Sequence, residues 1–483
     1  MEKTKLIRNN EDWWALWIGL FVFLLSLGPM VGKDFLGFGA ATSVWLALGK
    51  AMAPVSKAYA GMSGIVALLL TYLFMLVIMG VGAKALKFNT KEFAIGFTVI
   101  FWVSYACWLI GNYAYIAVTP NQRAAFKISW SLGLTGEAGF VVALLVGLIV
   151  GNFFPSVTAF LKEATRPEWY IKTAIVILGA FLGVQAAGAT GLAKAVMFRG
   201  FAAIVEAYLI YWALVYLVAR KLFKFSREWS APLASGISIC GVSAAIATGA
   251  AIKARPVVPV MVSSLVVIFA VVELLFLPFL AQTFLYHQPL VAGAWMGLAV
   301  KTDGAAVASG AITDALIRAK ALAVTGVNYK EGWVLMTATT VKVFIDIFIG
   351  IWAFILGYIW TNHINVTPDQ EKAKAKEIWQ RFPKFIIGFL VTFVVGLYLA
   401  LGTPADVAKN VPAAIGEANT FRVIFFILTF FSIGVLSNFR ALWREGFGKL
   451  AAVYVTSLFG FVVWVGLLIS WIFFHGITPP LAS

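Results

Sequence analysis

The sequence is poor in charged residues, cysteine and histidine. Of its 483 residues, 12% are charged and 61% are hydrophobic, and the mean hydropathy is +0.92. A soluble domain has roughly a quarter of its residues charged, so a water-soluble fold could not bury this much apolar surface. The two cysteines and three histidines have no CxxC or metal-ligand spacing. We therefore expect neither a disulfide framework nor a metal site or cofactor.

Motifs of enzymes and of nucleotide-driven pumps are also missing. The chain contains no GxSxG, HExxH or P-loop sequence and no carboxylate pair with a catalytic spacing. Its formal charge of +16 comes from lysines and arginines in short segments between apolar runs. Such residues set membrane orientation and contact anionic lipid. We expect neither an enzyme nor a protein that binds nucleic acid.

Apolar segments long enough to cross a bilayer recur along the chain. They predict an all-α polytopic membrane protein with about 13 transmembrane helices, at residues 13–31, 61–83, 92–118, 137–154, 169–185, 198–222, 231–251, 257–284, 291–312, 333–360, 384–402, 421–437 and 451–475. The weaker stretch 34–57 is expected to be an interfacial helix or a partial span. EKAKAKEIWQR (371–381) is expected to be a short amphipathic helix. The Lys and Arg bias predicts a cytoplasmic N-terminus and a periplasmic C-terminus.

Two pairs of similar segments indicate an inverted repeat, with chance similarity between apolar segments as the alternative. VILGAFLGVQ (176–185) pairs with FSIGVLSNFR (431–440), and SGISICGVSAAIATGA (235–250) with GLAVKTDGAAVASGA (297–311). Inverted repeats that meet at discontinuous helices are typical of secondary transporters. The span count gives the second pair the same orientation. Either one of those two segments is re-entrant, or the count is wrong there.

The first glycine-rich segment contains residues that weaken a membrane helix. Unwound backbone is tolerated at membrane depth only inside protein or beside a water-filled cavity. The glycines therefore indicate either close helix packing through small residues or a break that exposes backbone groups to a substrate. In the second case Ser238, Cys240, Gly241 and Ser243 would line the substrate site.

The second glycine-rich segment carries charge. Lys301, Thr302 and Asp303 lie in the middle of an apolar run, and Asp303-Gly304 is a turn dipeptide. A charge at the bilayer centre costs on the order of 3 kcal/mol. Opposite charges so close in sequence do not face each other on a helix, so each needs its own partner or a cavity. We expect a second break with substrate-binding residues here, with structural ion pairing as the alternative.

Four more ionisable residues lie within predicted spans. Lys342 and Asp346 are four residues apart and could pair on one helix face, or Lys342 could face Asp303 instead. Glu206 and Glu273 are isolated carboxylates. They could bind protons during coupling or pair structurally with a cation.

These segments resemble the sulfate exporter family of bacterial inner-membrane transporters over residues 136–483. SGISICGVSAAIA is similar to the family's G-T-S-I-C-G-A-S-A segment, and WMGLAVKTDGAAVASG (295–310) to its W-A-G-A-S-I-H-E-V-A-Q-V-V-A-A-G segment. TATTVKVFIDIF and GVLSNFRALWREG resemble two further family segments, with matches at Lys342 and Arg440.

The resemblance implies a fold. The positions at which this chain differs from the family pattern concern the substrate site. The family is similar to a superfamily of bile-acid symporters and sodium/proton antiporters, in which core and panel domains accompany two broken helices that cross near the midplane. Residues 1–135 would be an N-terminal extension with about three spans. Where the family has His-Glu, this chain has Lys301-Thr302, and Asp303 replaces an apolar residue. Substrate and coupling ion therefore do not carry over.

We expect a secondary active transporter that moves a small anion, such as sulfate, a sulfonate or an organic carboxylate, by alternating access across the bacterial inner membrane. The N-terminal ends of broken helices favour negative groups, and Lys301 and Lys342 could neutralise one. The alternative is a cation/proton antiporter that uses Asp303 and Lys342. A non-transporting membrane sensor or scaffold is the alternative from another class. Coupling to sodium or protons, and a homodimer, are left open.

Overall fold

The computed structural model describes residues 10–364, 376–439 and 448–482. Within these ranges the main helices are α1 (Glu11–Ser26), α2 (Gly64–Ala85), α3 (Thr90–Gly111), α4 (Ala138–Phe153), α5 (Pro155–Leu161), α6 (Pro167–Ala187), α7 (Thr190–Leu222), α8 (Arg227–Ser238), α9 (Ser243–Ala251), α10 (Val257–Phe284), α11 (Pro289–Ala299), α12 (Asp303–Thr325), α13 (Trp333–Ile364), α14 (Lys376–Arg381), α15 (Phe385–Leu401), α16 (Val411–Leu436) and α17 (Gly448–Phe474). The part of the chain that the structure describes is therefore all-α, apart from one short hairpin of strands.

Nine helices among the described residues are long and apolar enough to cross a bilayer. A tenth span is present if α4 and α5, which are bent by 113°, form one crossing. The protein is a polytopic membrane protein, as predicted, with fewer continuous spans than the 13 expected. The remaining predicted spans correspond to the shorter helix α15 and to segments 231–251 and 291–312, neither of which is a single helix.

The segment 34–57 forms neither the interfacial helix nor the partial span expected. Two short antiparallel strands, β1 (Ala40–Thr42) and β2 (Met52–Pro54), pair there. Four glycines or prolines between residues 37 and 54 interrupt the apolar run, and each lowers helix stability by about 1 kcal/mol or more. Of the amphipathic helix predicted at 371–381, residues 376–381 are helical (α14) and the rest lies outside the described residues, as does Arg440.

One compact unit comprises the chain up to Thr190 together with residues 322–327 and 384–436. Its helix α6 packs against α1, α15 and α16. Helices α1, α2 and α3, from the predicted N-terminal extension, belong to this unit together with α4 and α6, so its boundary does not fall at residue 135. Both members of the first repeat pair, 176–185 and 431–440, begin inside it.

The second compact unit comprises residues 191–321, 328–383 and 437–483, and it contains both glycine-rich segments. In the first of these, helices α8 and α9 fold back on each other. The Thr248 hydroxyl donates to the Ser235 hydroxyl at 2.7 Å. The backbone N and Nε of Arg255 donate to Glu228 Oε1 at 2.8 and 3.1 Å. In each pair, the two residues lie about equally far along the sequence from the break between the helices. Contacting residues in the two arms of an antiparallel hairpin are related in this way. The segment 231–251 is therefore discontinuous, as predicted, and it is re-entrant.

Helices α11 and α12 form a second helical hairpin. Both arms approach the same residue of α13: a Cβ atom on Gly297 would lie 2.7 Å from Ala338 O, and one on Gly310 would lie 2.6 Å from Ala338 Cβ. Farther along α12, Asp314 Oδ1 accepts a hydrogen bond from Val334 N at 2.9 Å. Because positions on either side of the break lie beside one stretch of α13, the segment reverses direction at residues 300–302 instead of crossing straight through.

The two hairpins enter from opposite ends of α10. The open end of the first, at Glu228 and Arg255, directly precedes α10, and the second begins at Pro289, just after α10 ends. With 28 residues α10 is about 42 Å long, whereas arms α8 and α11, with 12 and 11 residues, are about 18 and about 17 Å long. The tips therefore reach the middle and touch, and Gly241 N donates to Lys301 O at 2.7 Å. Hairpins that enter from opposite ends have opposite orientations, as the members of an inverted repeat must. The span count gave these segments the same orientation because it treated each of them as a full crossing.

Candidate functional site where the hairpin tips meet

The tips of the two hairpins, residues 239–242 and 300–302, are unwound backbone, and all of these residues except Val242 are buried inside the protein. The position of the first tip against α10 and the second tip requires a glycine, because a Cβ atom at Gly241 would lie 2.3 Å from Val266 Cγ1 of α10 and 3.1 Å from Thr302 Cγ2 of the second tip. Around this contact five predicted site residues come together with 1% of their surface exposed: Cys240, Lys301, Asp303, Lys342 and Asp346. We call the contact and these side chains the tip junction.

The ammonium group of Lys342, on α13, lies in the tip junction. Its Nζ donates to Ile239 O at 2.7 Å and to Lys301 O at 3.4 Å. It also lies 3.5 Å from Asp303 Oδ1 and 4.0 Å from Asp346 Oδ1. The two carbonyls follow the C-terminal ends of α8 and α11, where the helix dipole is negative. Both pairings considered for Lys342 from the sequence therefore occur together.

The tip junction also contains a set of atoms that could bind a metal ion. The Cys240 sulfur and one oxygen each of Asp303 and Asp346 lie within 4.8 Å of one another. The ammonium of Lys342 lies beside both carboxylates and so already supplies a positive charge to this cluster. In this structure the positive charge beside the two carboxylates of the cluster is that of Lys342.

The side chain of Lys301 contacts groups other than Asp303. The sequence predicted this, because charged residues so close in sequence do not face each other on a helix. Its Nζ donates to Leu298 O, at the end of α11, and lies 4.4 Å from the centre of the Tyr211 ring. Its backbone N donates to Glu273 Oε2 at 3.1 Å. Glu206 and Glu273 both interact electrostatically with its ammonium. Lys301 therefore belongs to a second group of buried charges that adjoins the tip junction.

The remaining predicted site residues have local structural roles or lie at the edge of the junction. Thr302 Oγ1 accepts from Ala305 N at 3.2 Å, which caps the start of α12. Ser243 is the first residue of α9. The Ser238 hydroxyl is fully buried and has no hydrogen-bond partner among the described residues.

Three tyrosines that the sequence analysis missed complete the surroundings. The Tyr454 hydroxyl donates to Glu273 Oε1 at 2.7 Å, and the Tyr208 hydroxyl donates to Ile345 O at 2.5 Å. Tyr208 and Tyr211 lie in a π-helical stretch, Glu206–Tyr211, inside α7. Short π-helical segments often occur at functional sites. Tyr208 and Tyr211 could have been found from the sequence, because they lie close to Glu206 in a predicted span.

Hydrogen bonds outside the junction hold the first hairpin closed. Ser235 Oγ accepts from Trp212 Nε1 at 2.9 Å as well as from Thr248. At the open end, outside the membrane-spanning segments, hydrogen bonds from Arg255 hold the pKa of the Glu228 carboxyl below its usual value. The tip is thus fixed by contacts along both arms.

The fold and the site define a class: an all-α polytopic membrane protein in which two re-entrant helical hairpins meet at a buried cluster of charges. Residues 128–453 match the family model described as Conserved hypothetical protein 698. The chain is 41% identical over 479 residues to a UPF0324 membrane protein of Nitrosomonas europaea, which covers 98% of this chain and 97% of that relative. This protein therefore belongs to the UPF0324 family of membrane proteins.

More distant relatives have the same family name. A UPF0324 membrane protein of Nitratidesulfovibrio vulgaris is 28% identical over 412 residues, covering 83% of this chain and 63% of that protein. Another, of Rhodopirellula baltica, is 30% identical over 370 residues, covering 76% of this chain and 60% of that protein. No solved structure matches the chain significantly. The matched family range largely overlaps residues 136–483, whereas sulfate export and the wider superfamily stay predictions.

Proposed function

We propose that this protein is a secondary active transporter that exchanges a small cation for a proton at the tip junction. The observation that carries the proposal is the environment of Lys342. Its ammonium lies among two backbone carbonyls and two carboxylates. Carbonyls at the C-terminal ends of half-helices coordinate sodium ions or protons in other secondary transporters. The same oxygens would suit a small monovalent cation once the ammonium no longer fills the place.

The charges around the two buried lysines favour a cation over an anion. Each ammonium is faced by two carboxylates, so the carboxylates outnumber the lysines. An anion about 4 Å from an ionised carboxylate is repelled by about 4 kcal/mol at an effective dielectric constant of about 20. The antiport mechanism based on Asp303 and Lys342 therefore has better support than an anion neutralised by both lysines.

Exchange follows because a proton and a cation compete for one place. While Lys342 is protonated, its ammonium neutralises the carboxylates of the tip junction. When Nζ releases its proton, the neutral amine leaves the carboxylates without a counter-charge, and a cation takes over that role. A proton that returns to Nζ from the other side expels the cation. Because the hairpins reach the junction from opposite ends of α10, movement of one tip at a time would give the alternating access that transport requires.

Transport of a small anion is the second candidate, and one observation favours it. Helices α9 and α12 begin at the hairpin tips, so their positive N-terminal ends face the junction. Asp303 already occupies the first turn of α12. An anion could therefore bind only after the junction carboxylates take up protons, which predicts obligatory proton coupling.

The test uses proteoliposomes that contain a pH-sensitive dye. Pulses of Na⁺, Li⁺ or K⁺ should drive protons in the opposite direction in the wild type, whereas Lys342→Ala should abolish this exchange. The control is Lys172→Ala, which removes a lysine paired with Asp12 at 2.7 Å in the other compact unit. Asp346→Asn, which keeps the side-chain shape, serves as a second variant if Lys342→Ala does not fold.

Three other results would contradict the proposal of cation/proton exchange at the tip junction. Proton movement driven by sulfate or a sulfonate, without a cation response, would favour the anion candidate. No flux with any of these ions would favour the sensor or scaffold. Full exchange by well-folded Lys342→Ala and Asp346→Asn would mean that the tip junction is not the exchange site.

A further inference from the structure

A second group of buried charges lies next to the tip junction. It consists of Lys301, Glu206 and Glu273, with the hydroxyls of Tyr211 and Tyr454, and we call it the Lys301 cluster. Glu206 is fully buried, and Lys301 and Glu273 are 1% and 3% exposed. With both carboxylates ionised and the lysine protonated, the cluster has one negative charge in excess. A buried uncompensated charge costs several kcal/mol, so this excess calls for a proton or a cation.

The two carboxylates of this cluster are held very differently. Each oxygen of Glu273 accepts a hydrogen bond, one from Tyr454 and one from the backbone N of Lys301. Neither buried oxygen of Glu206 accepts a hydrogen bond of standard geometry from any residue that the structure describes. The Tyr211 hydroxyl lies beside Glu206 but donates to Val462 O at 2.6 Å. Glu273 is therefore held in place by two hydrogen bonds, and Glu206 is the carboxylate of the cluster whose oxygens have no such bonds.

Lys301 connects the Lys301 cluster to the tip junction. Its carbonyl accepts from Gly241 N at 2.7 Å and from Lys342 Nζ at 3.4 Å. Its side chain faces Tyr211, Glu206 and Glu273. Because the same residue has its carbonyl in one site and its ammonium in the other, any movement of the tip that opens the junction also moves the ammonium relative to Glu206.

We propose that Glu206 is a second proton-binding site, so that each transport cycle moves two protons against one cation. The inference rests on the proposed exchange at the tip junction. When the junction opens to the side from which the cation enters, the Lys301 ammonium moves closer to Glu206, and the Glu206 carboxyl group releases its proton to that side. When the cation leaves on the other side, the ammonium moves away, and a Glu206 carboxylate oxygen binds a proton from that side. The charged group that acts on Glu206 is Lys301, from the tip of the second hairpin, and the neutral Tyr211 hydroxyl from its own helix lies beside it.

The experiment measures the proton-to-cation ratio in proteoliposomes with the membrane voltage clamped at zero. A tenfold cation gradient should be balanced by about half a pH unit when two protons move, and by about one pH unit when one moves, because a pH unit is a tenfold change in proton concentration. The wild type should need about half a unit and Glu206→Gln about one unit. Glu206→Asp retains a carboxyl group and should keep the wild-type value.

The matched control is Glu417→Gln, which changes another carboxylate of 1% exposure in the other compact unit and should leave the ratio unchanged. A purely structural role of Glu206 would slow both of its variants without changing the ratio, and that result would overturn the proposal. A wild-type ratio of one would also overturn it while leaving exchange at the tip junction intact. Absence of any cation/proton exchange in the wild type would instead reject the proposed function, and the second site with it.

Discussion

The replacement Gly241→Ala should open the contact between the two hairpin tips. The added Cβ would lie 2.3 Å from Val266 Cγ1 and 2.9 Å from Val266 Cβ, whereas carbon atoms in contact lie about 3.5–4.0 Å apart. The tip must therefore retract by about 1 Å or more. The hydrogen bond from Gly241 N to Lys301 O, now 2.7 Å, would then be weakened or lost. Overpacking costs about 1–3 kcal/mol and the hydrogen bond about 1 kcal/mol, which together give about 2–4 kcal/mol.

The neighbouring Cys240 provides a direct assay of this opening. The chain has one other cysteine, Cys107, so Cys107→Ser leaves a single thiol to label. The Cys240 side chain is 1% exposed, and alkylation in membranes requires local opening. A loss of about 2–4 kcal/mol should raise the alkylation rate of Gly241→Ala by about 30-fold to about 900-fold at constant pH.

Two further variants make the result specific. Val266→Ala removes the methyl group that the new Cβ would strike, so Gly241→Ala with Val266→Ala should recover much of the protection. Gly80→Ala, in α2, has open space at its Cβ position and should leave labelling unchanged. Labelling of Gly241→Ala at the wild-type rate would refute the close packing of the first tip against Val266 and the second tip.

Other predictions concern the charges and the hairpin arms. Asp303→Asn should lower the unfolding free energy by about 3 kcal/mol, because Lys342 loses a buried partner, and a second change of Lys342→Met should restore part of the loss in chemical unfolding. Ser235→Ala leaves two hydrogen-bond donors without an acceptor and should cost about 1–3 kcal/mol in the same assay. Because the pKa of Glu228 is lowered in the folded protein, its exposed pair with Arg255 stabilises above the unfolded-state pKa, and that contribution is lost as the pH falls through the folded-state pKa. Arg255→Ala should thus cost less than about 1 kcal/mol at pH 7, and this cost should shrink as the pH falls through the folded-state pKa of Glu228.

Sequence patterns located the two breaks but could not determine the path of the chain around them. The glycines and serines near Cys240 and the polar run at Lys301–Asp303 mark residues that a continuous membrane helix does not favour. Whether the chain then crosses or turns back depends on distant contacts, such as the bond between Ser235 and Thr248. Composition within one segment carries no information about such pairs.

The re-entrant first hairpin also changes the expected orientation of its loops. If 231–251 does not cross, then Lys253 and Arg255 lie on the same side of the membrane as Arg220 and Lys221. On the predicted orientation that side is cytoplasmic, so the excess of basic residues inside becomes larger. The predicted location of the two termini is unchanged, because the second hairpin does not cross either.

The chemistry of individual side chains was only partly predictable. Lys342 and Asp346 share a helix face by spacing alone, and Asp303, considered as the alternative partner of Lys342, lies beside it in the structure as well. The environment of Glu206 could not be predicted, because the π-helical stretch that contains it departs from the regular helical period. The strands at 40–54 were missed because three-residue strands have too few residues for an alternating pattern.

Proton release on cation binding tests the central claim most directly. Purified protein in weakly buffered solution with a pH indicator should release protons when Na⁺, Li⁺ or K⁺ is added, because the cation replaces the Lys342 ammonium in the tip junction. Lys342→Met should release fewer protons, because it has no Nζ to release one, whereas Lys172→Met should behave as the wild type. Proton release by Lys342→Met equal to that of the wild type, or no release from the wild type with any of the three cations, would contradict the account.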